Sequence, residues 1–185
     1  MKNNHVIIKL GNIFELLAII VVLALALAFQ FVMKELPCPL CLLQRAGFIC
    51  IAFGFLLNLR YGFRPSHYAI VILSALYTSF VALRQIVLHV IPGTGEYGSP
   101  FLGLHLYTWV FVISMVISVV TVLLMSIDRQ YDKIANDHFA FWKQITNLLF
   151  ALMTLIITAN IVSTVLECGF HAECPDDPVR YEMLY

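Results

Sequence analysis

Along the 185 residues, apolar positions gather into five long runs separated by short polar breaks. Runs of about 18 or more mostly apolar residues are long enough to cross a bilayer as helices. They predict spans over Ile13–Val32, Leu42–Leu59, Ala69–Ile91, Leu106–Ile127 and Ile145–Leu166. The fifth is the least marked at its flanks. The breaks are short, and none carries the composition of a soluble domain, low complexity or a repeat. The expected architecture is therefore an all-α integral membrane protein, a bundle of five transmembrane helices forming one domain over 1–185, with a tail over 167–185.

Composition agrees with that pattern. Hydrophobic residues make up 61% of the chain and charged residues 12%, and the mean hydropathy is +0.90. No soluble domain of ordinary composition fits these values. The basic residues then set the orientation. With the N-terminus inside, inner segments hold Lys2, Lys9, Arg60, Arg64, Arg129, Lys133 and Lys143, and outer segments hold Lys34 and Arg180. Arg45 and Arg84 fall within spans. Seven against two favours a cytoplasmic N-terminus and an outward C-terminus. The first run, behind Lys2 and Lys9 and containing Ala24-Leu25-Ala26, resembles a signal peptide but is longer than a usual signal core, so an uncleaved helix is expected.

Parity places four of the five cysteines on the outer side. They form two close pairs, Cys38/Cys41 and Cys168/Cys174, on a surface where disulfides are permitted. A tetrahedral zinc site satisfies the same ligand count and is an open alternative. Cys50 lies nine residues beyond Cys41, about 13 Å along a helix. It is expected to be a buried apolar thiol.

Cys38-Pro39-Leu40-Cys41 sits where a polar turn gives way to the second run. Pro39 suits the first helical position, which puts Cys38 near the N-cap and Cys41 in the first turn, where free backbone N–H groups and the helix dipole favour a thiolate. Arg45 follows Cys41 at i+4, on the same face. In the third run Arg84 is costly at its depth unless it snorkels or is paired. With Gln85 and His89 it offers hydrogen bonds to a flat, lipid-soluble ligand. Glu15, near the inner end of the first run, is read as interfacial.

Other segments carry less. Pro92 to Pro100 is glycine-rich and reads as a loop, and Phe101 to Trp109 as part of an interfacial aromatic belt. Asp128–Gln144 mixes charges with Phe139, Phe141 and Trp142 and is read as a surface anchor. The acidic tail Glu167–Tyr185 is expected to be mobile, with both Cys168 and Cys174 accessible.

The segment Cys38-Pro-Leu-Cys41-Leu-Leu-Gln-Arg45 at the outer start of the second helix resembles the signature of the DsbB family, bacterial inner-membrane enzymes that reoxidise a periplasmic thiol oxidoreductase, DsbA, and pass the electrons to quinone. The likeness is strongest over the first four spans, from Phe14 to Ile127. It implies a quinone (ubiquinone or menaquinone) as cofactor and a DsbA-like protein as partner. It implies that Cys41 is the quinone-proximal sulfur, that Cys38 exchanges with the second pair, and that Arg45 stabilises the Cys41 thiolate and the reduced quinone. Arg84, Gln85 and His89 resemble the quinone-side residues of the third helix. One departure is plain: the familiar members have four helices, with the second pair between the third and fourth, whereas here that loop lacks cysteine and Cys168/Cys174 follows a fifth span. A fold-back of the tail over Cys38 is needed for exchange. Two other readings stand beside this one, a VKOR-like quinone-linked oxidoreductase and a non-enzymatic scaffold or transporter subunit with structural disulfides.

Overall fold

The computed structural model describes residues 2–90, 100–127, 130–131, 140–169, 174 and 178–184. Its five helices run in the order α1 (Lys2–Val32), α2 (Pro39–Tyr61), α3 (Pro65–His89), α4 (Leu106–Met125) and α5 (Ala140–Cys168). All five are long and apolar enough to span a membrane, and among the described residues there is no strand. The architecture is a membrane helical bundle, as the apolar runs predict.

The boundaries follow local chemistry. Pro39 and Pro65 open α2 and α3, because proline is pre-set for the first helical turn, where its missing N–H costs nothing. Gly62 ends α2 at φ 87°, a left-handed conformation that glycine adopts without strain. Two ends differ most from the predicted spans. Helix α1 starts at Lys2, before the apolar run, and α5 takes in residues 140–144 of the segment read as a surface anchor. Polar residues at a membrane boundary extend a helix without lengthening its hydrophobic part. Apart from Gln130 and Tyr131, the remainder of that anchor, and the glycine-rich loop over 92–99, lie outside the described residues.

Helices α2, α3 and α4 pack in sequence, and α1 closes on α2. Helix α5 lies against α1 and α2, while α1 and α4 meet only lightly. The core runs through Leu16, Ile19 and Leu23 of α1, Phe48, Ile51 and Phe55 of α2, Val71 and Ala75 of α3, Ile117 of α4, and Leu149 and Met153 of α5. Large apolar side chains such as Phe14, Leu73, Phe80 and Leu155 point outward. An apolar exterior around an apolar core is what a lipid solvent requires.

Close approach of α2 to α3 depends on two glycines. A Cβ on Gly47 collides with the Thr78 hydroxyl, and one on Gly54 lies 2.6 Å from Val71 Cγ2 and 2.9 Å from the His67 carbonyl. Small residues at such positions let membrane helices pack backbone to backbone.

At the end opposite the cysteines, a buried polar network ties the helices together. Asn12 Nδ2 donates to Tyr68 Oη (3.1 Å), Asn58 Nδ2 donates to Asn12 Oδ1 (3.0 Å), and Tyr68 Oη donates to Gln130 Oε1 (3.0 Å). Gln130 Nε2 in turn satisfies the carbonyls of Leu124, Met125 and Ile127 at the end of α4. Glu15 lies one turn beyond Asn12 and is 5% exposed. Its carboxyl is thus enclosed by the packed part of the bundle, α1 beginning earlier than its apolar run.

Candidate active site

Cys38 is the N-cap of α2, with extended backbone (φ −71°, ψ 163°), and its Sγ accepts the backbone N–H of Cys41 at 3.2 Å. The proline that starts the helix thus fixes which sulfur lies at the cap and which lies in the first turn. Both thiols are free, Cys38 buried and Cys41 half-buried. The hydrogen bond shared with the Cys41 side chain, followed by burial, pushes the Cys38 thiol above the usual range. Cys38 is accordingly the sulfur that keeps its proton.

Gln85 of α3 reaches across to this pair. It is fully buried, and its Nε2 lies 3.3 Å from Cys38 Sγ and 3.5 Å from Cys41 Sγ. Its Oε1 accepts from Gln44 Nε2 at 2.7 Å. That bond orients the amide so that its nitrogen faces the sulfurs, where an N–H donor favours negative charge.

Arg45 lies one turn below Cys41. Its Nη1 donates to Gln30 Oε1 (2.7 Å) and its Nη2 to the Ala26 carbonyl (3.0 Å), both on α1. Cys41, Arg45, Gln85, Phe29, Phe48 and Tyr107 line a common cavity of about 110 Å³ whose remaining wall is mostly aliphatic. An apolar cleft with a few convergent polar groups is the usual form of a small-molecule site. Its make-up fits a planar lipid-soluble quinone: aromatic and aliphatic surface for a ring, with guanidinium and amide donors for its oxygens.

Of the expected third-helix residues, Gln85 is at the site. His89 lies one turn above it, with Nδ1 2.7 Å from the Gln85 carbonyl and its ring stacked on Tyr107 at 5.5 Å. Arg84 is elsewhere: it is exposed, beside Phe80, Leu83, Val87 and Leu88 on the outer face of α3. Adjacent helical residues point about 100° apart, and here that rotation leaves Gln85 buried at the cavity while Arg84 faces outward. Cys50 also departs from expectation: it is exposed on the outside of α2, a lipid-facing thiol.

The second pair, Cys168–Cys174, is a disulfide. Cys168 is 4% exposed at the end of α5, so equal access to both sulfurs does not hold; Cys174 is half-buried. The tail also has ordered partners. Met183 N–H bonds to the Leu166 carbonyl (3.1 Å) and Glu182 N–H to the Glu167 carbonyl (3.3 Å). Among the described residues no group of three potential metal ligands occurs.

The sequence reading passed over Gln30, Gln44, Glu167 and Tyr181. Each is a single polar residue at the edge of an apolar run or in the tail, and its only signal was the cost of placing it there.

A vicinal dithiol capped by its own sulfur, faced by an amide and opening on an apolar cavity inside a helical bundle, defines a membrane thiol oxidoreductase. Residues 9–97, a stretch that holds Cys38, Cys41, Arg45 and Gln85, match the family model described as disulfide bond formation protein DsbB. Comparison with curated proteins and with solved structures finds no match.

Proposed function

We propose that this protein is a quinone-dependent protein-thiol oxidase of the bacterial inner membrane, with its N-terminus cytoplasmic and both cysteine pairs periplasmic. Its donor is a reduced DsbA-like thiol oxidoreductase. A partner thiolate attacks the Cys168–Cys174 disulfide, and the partner leaves as a disulfide with Cys168 and Cys174 as the dithiol. That dithiol reduces a Cys38–Cys41 disulfide in the same way. Two electrons and two protons then leave Cys38 and Cys41 as their disulfide closes again, restoring the starting state. A membrane quinone supplies the acceptor chemistry, taking up the electron pair and both protons.

Each residue has a part in this cycle. Cys174, the less buried sulfur of its pair, meets the partner. Cys38 holds a proton, and Cys41 is the sulfur on the cavity. Gln85 favours a thiolate there, and Arg45 faces the developing negative charge. Phe48 and Tyr107 hold the ring and exclude water. Arg84, on the outer face, has no part in it.

The observation that carries this reading is that Cys41, a free thiol, lines the same apolar cavity as Arg45 and Gln85. The test is quinone reduction by purified protein with a reduced DsbA-type donor. Wild type is expected to turn over, with Cys41→Ser and Cys168→Ser inactive. Activity surviving in Cys168→Ser alone removes the tail from the main path. No activity in wild type overturns the reading in favour of a scaffold with structural disulfides.

A further inference from the structure

One buried acid stands between the two cysteine pairs. Glu167 is 1% exposed and immediately precedes Cys168. Its Oε2 accepts from Gln30 Nε2 at 3.3 Å, and the same nitrogen lies 3.3 Å from Tyr181 Oη in the tail. The other end of that amide, Gln30 Oε1, accepts from Arg45 Nη1 at 2.7 Å. Gln30 therefore bridges an acid on α5 to the guanidinium that lines the cavity on α2. The amide has one workable orientation, because an arginine presents only donors and a carboxylate only acceptors.

This arrangement has an electrostatic consequence. A carboxylate withdrawn from water needs a nearby cation or strong donors to remain charged. Arg45 is the cation tied to it, and Arg45 also stands one turn from Cys41. A negative charge at Glu167 offsets the pull of Arg45 on a thiolate at Cys41. The backbone fixes the acid in place, since Glu182 and Met183 bond to the carbonyls of Glu167 and Leu166, and the Cys168–Cys174 bond anchors the neighbouring residue.

We propose that Glu167 is a positioning residue which, through Gln30 and Arg45, sets the dithiol–disulfide equilibrium of Cys38/Cys41 and thereby couples the fifth helix to the quinone-side pair. The proposal rests on the redox role given above to Cys38 and Cys41. Glu167 touches neither sulfur and does not line the cavity. It acts by holding the arginine and by partly neutralising it.

The test uses full-length protein in detergent, equilibrated in glutathione buffers, with the Cys38/Cys41 dithiol fraction read by thiol trapping and mass spectrometry. Glu167→Gln keeps the size and the acceptor for Gln30 and removes only the charge, so folding should survive. It is expected to raise the equilibrium constant for the dithiol by about threefold to tenfold. Glu167→Asp retains the charge and should stay near wild type. In an Arg45→Met background, the effect of Glu167→Gln should disappear. An unchanged equilibrium in Glu167→Gln, an equal shift in Glu167→Asp, or a full effect without Arg45 each overturns the proposal. Because this equilibrium needs neither the soluble partner nor quinone, failure of the wild-type turnover assay leaves it readable and falls on the broader function alone.

Discussion

The side-chain nitrogen of Gln85 lies 3.3 Å from the sulfur of Cys38, with the sulfur of Cys41 only slightly farther off. A single amide on α3 thus serves two sulfurs on α2, and Gln44 decides which of its ends they meet. Gln85→Leu removes that donor while preserving bulk. A hydrogen bond to a charged group contributes about 1.5–3 kcal/mol. We expect quinone reduction to fall at least tenfold, well beyond the modest loss of thermal stability that comes from leaving Gln44 Nε2 without its acceptor. Gln44→Leu, which frees the amide to turn over, should give a smaller loss in the same steady-state assay.

The two sulfurs of the pair should differ in reactivity. Cys38 is buried and its thiol is raised by the bond it shares with Cys41 and by burial. Cys41 lines the cavity. A small permeant alkylating agent at neutral pH should therefore label Cys41 well before Cys38. Labelling of Cys38 should stay slow until the pH exceeds the ordinary thiol range, because only then does it lose its proton. Peptide mapping after timed quenching reads both rates. Faster labelling of Cys38 would reverse their assignment.

Packing of α2 on α3 yields a graded prediction. The Cβ of Gly54→Ala meets the His67 carbonyl at 2.9 Å as well as a Val71 methyl, and backbone cannot move aside as a side chain can. Overpacking of this kind costs about 1–3 kcal/mol. Gly54→Ala should lower the apparent melting temperature in detergent by several degrees. Gly47→Ala meets only the Thr78 side chain, and the second substitution Thr78→Ser should leave it little relieved, because the hydroxyl remains, whereas Thr78→Ala should restore it.

Asn58 is the hub of the network at the opposite end. It donates to Asn12, and its Oδ1 accepts from the Arg64 backbone (3.3 Å) and lies 3.1 Å from His67 Nδ1. Asn58→Leu leaves several buried polar groups unpaired, at about 1–3 kcal/mol each. Melting temperature should drop, while turnover per folded molecule remains unchanged, since Asn58 lies at the far end of α2 from the cysteines. A turnover loss without a stability loss would contradict this purely structural role.

The sequence made some of these features plain and hid others, for physical reasons. Five apolar runs are a strong signal because a bilayer imposes both length and composition, and Pro39 located the start of α2 to the residue. The neighbourhood of Cys41 was legible through Arg45, since i+4 spacing is a local rule. Arg84 misled because adjacency in sequence is not adjacency around a helix. Gln30 and Glu167 are separated by 137 positions, and no periodicity connects them: only the packing of α5 on α1 does. Burial of Glu15 was missed because an apolar run marks where lipid contact begins, not where the helix begins.

The cap on α2 has one more implication. Cys38 Sγ accepts the Cys41 backbone N–H, so the atom to which we assign the exchange of electrons is also the atom that satisfies the first turn of the helix. When that sulfur enters a covalent bond with another it becomes a poorer acceptor, and the Cys41 amide loses protection. Deuterium uptake at this one amide should therefore rise and fall with the oxidation state of the pair, giving a backbone reporter of the cycle that requires no added label.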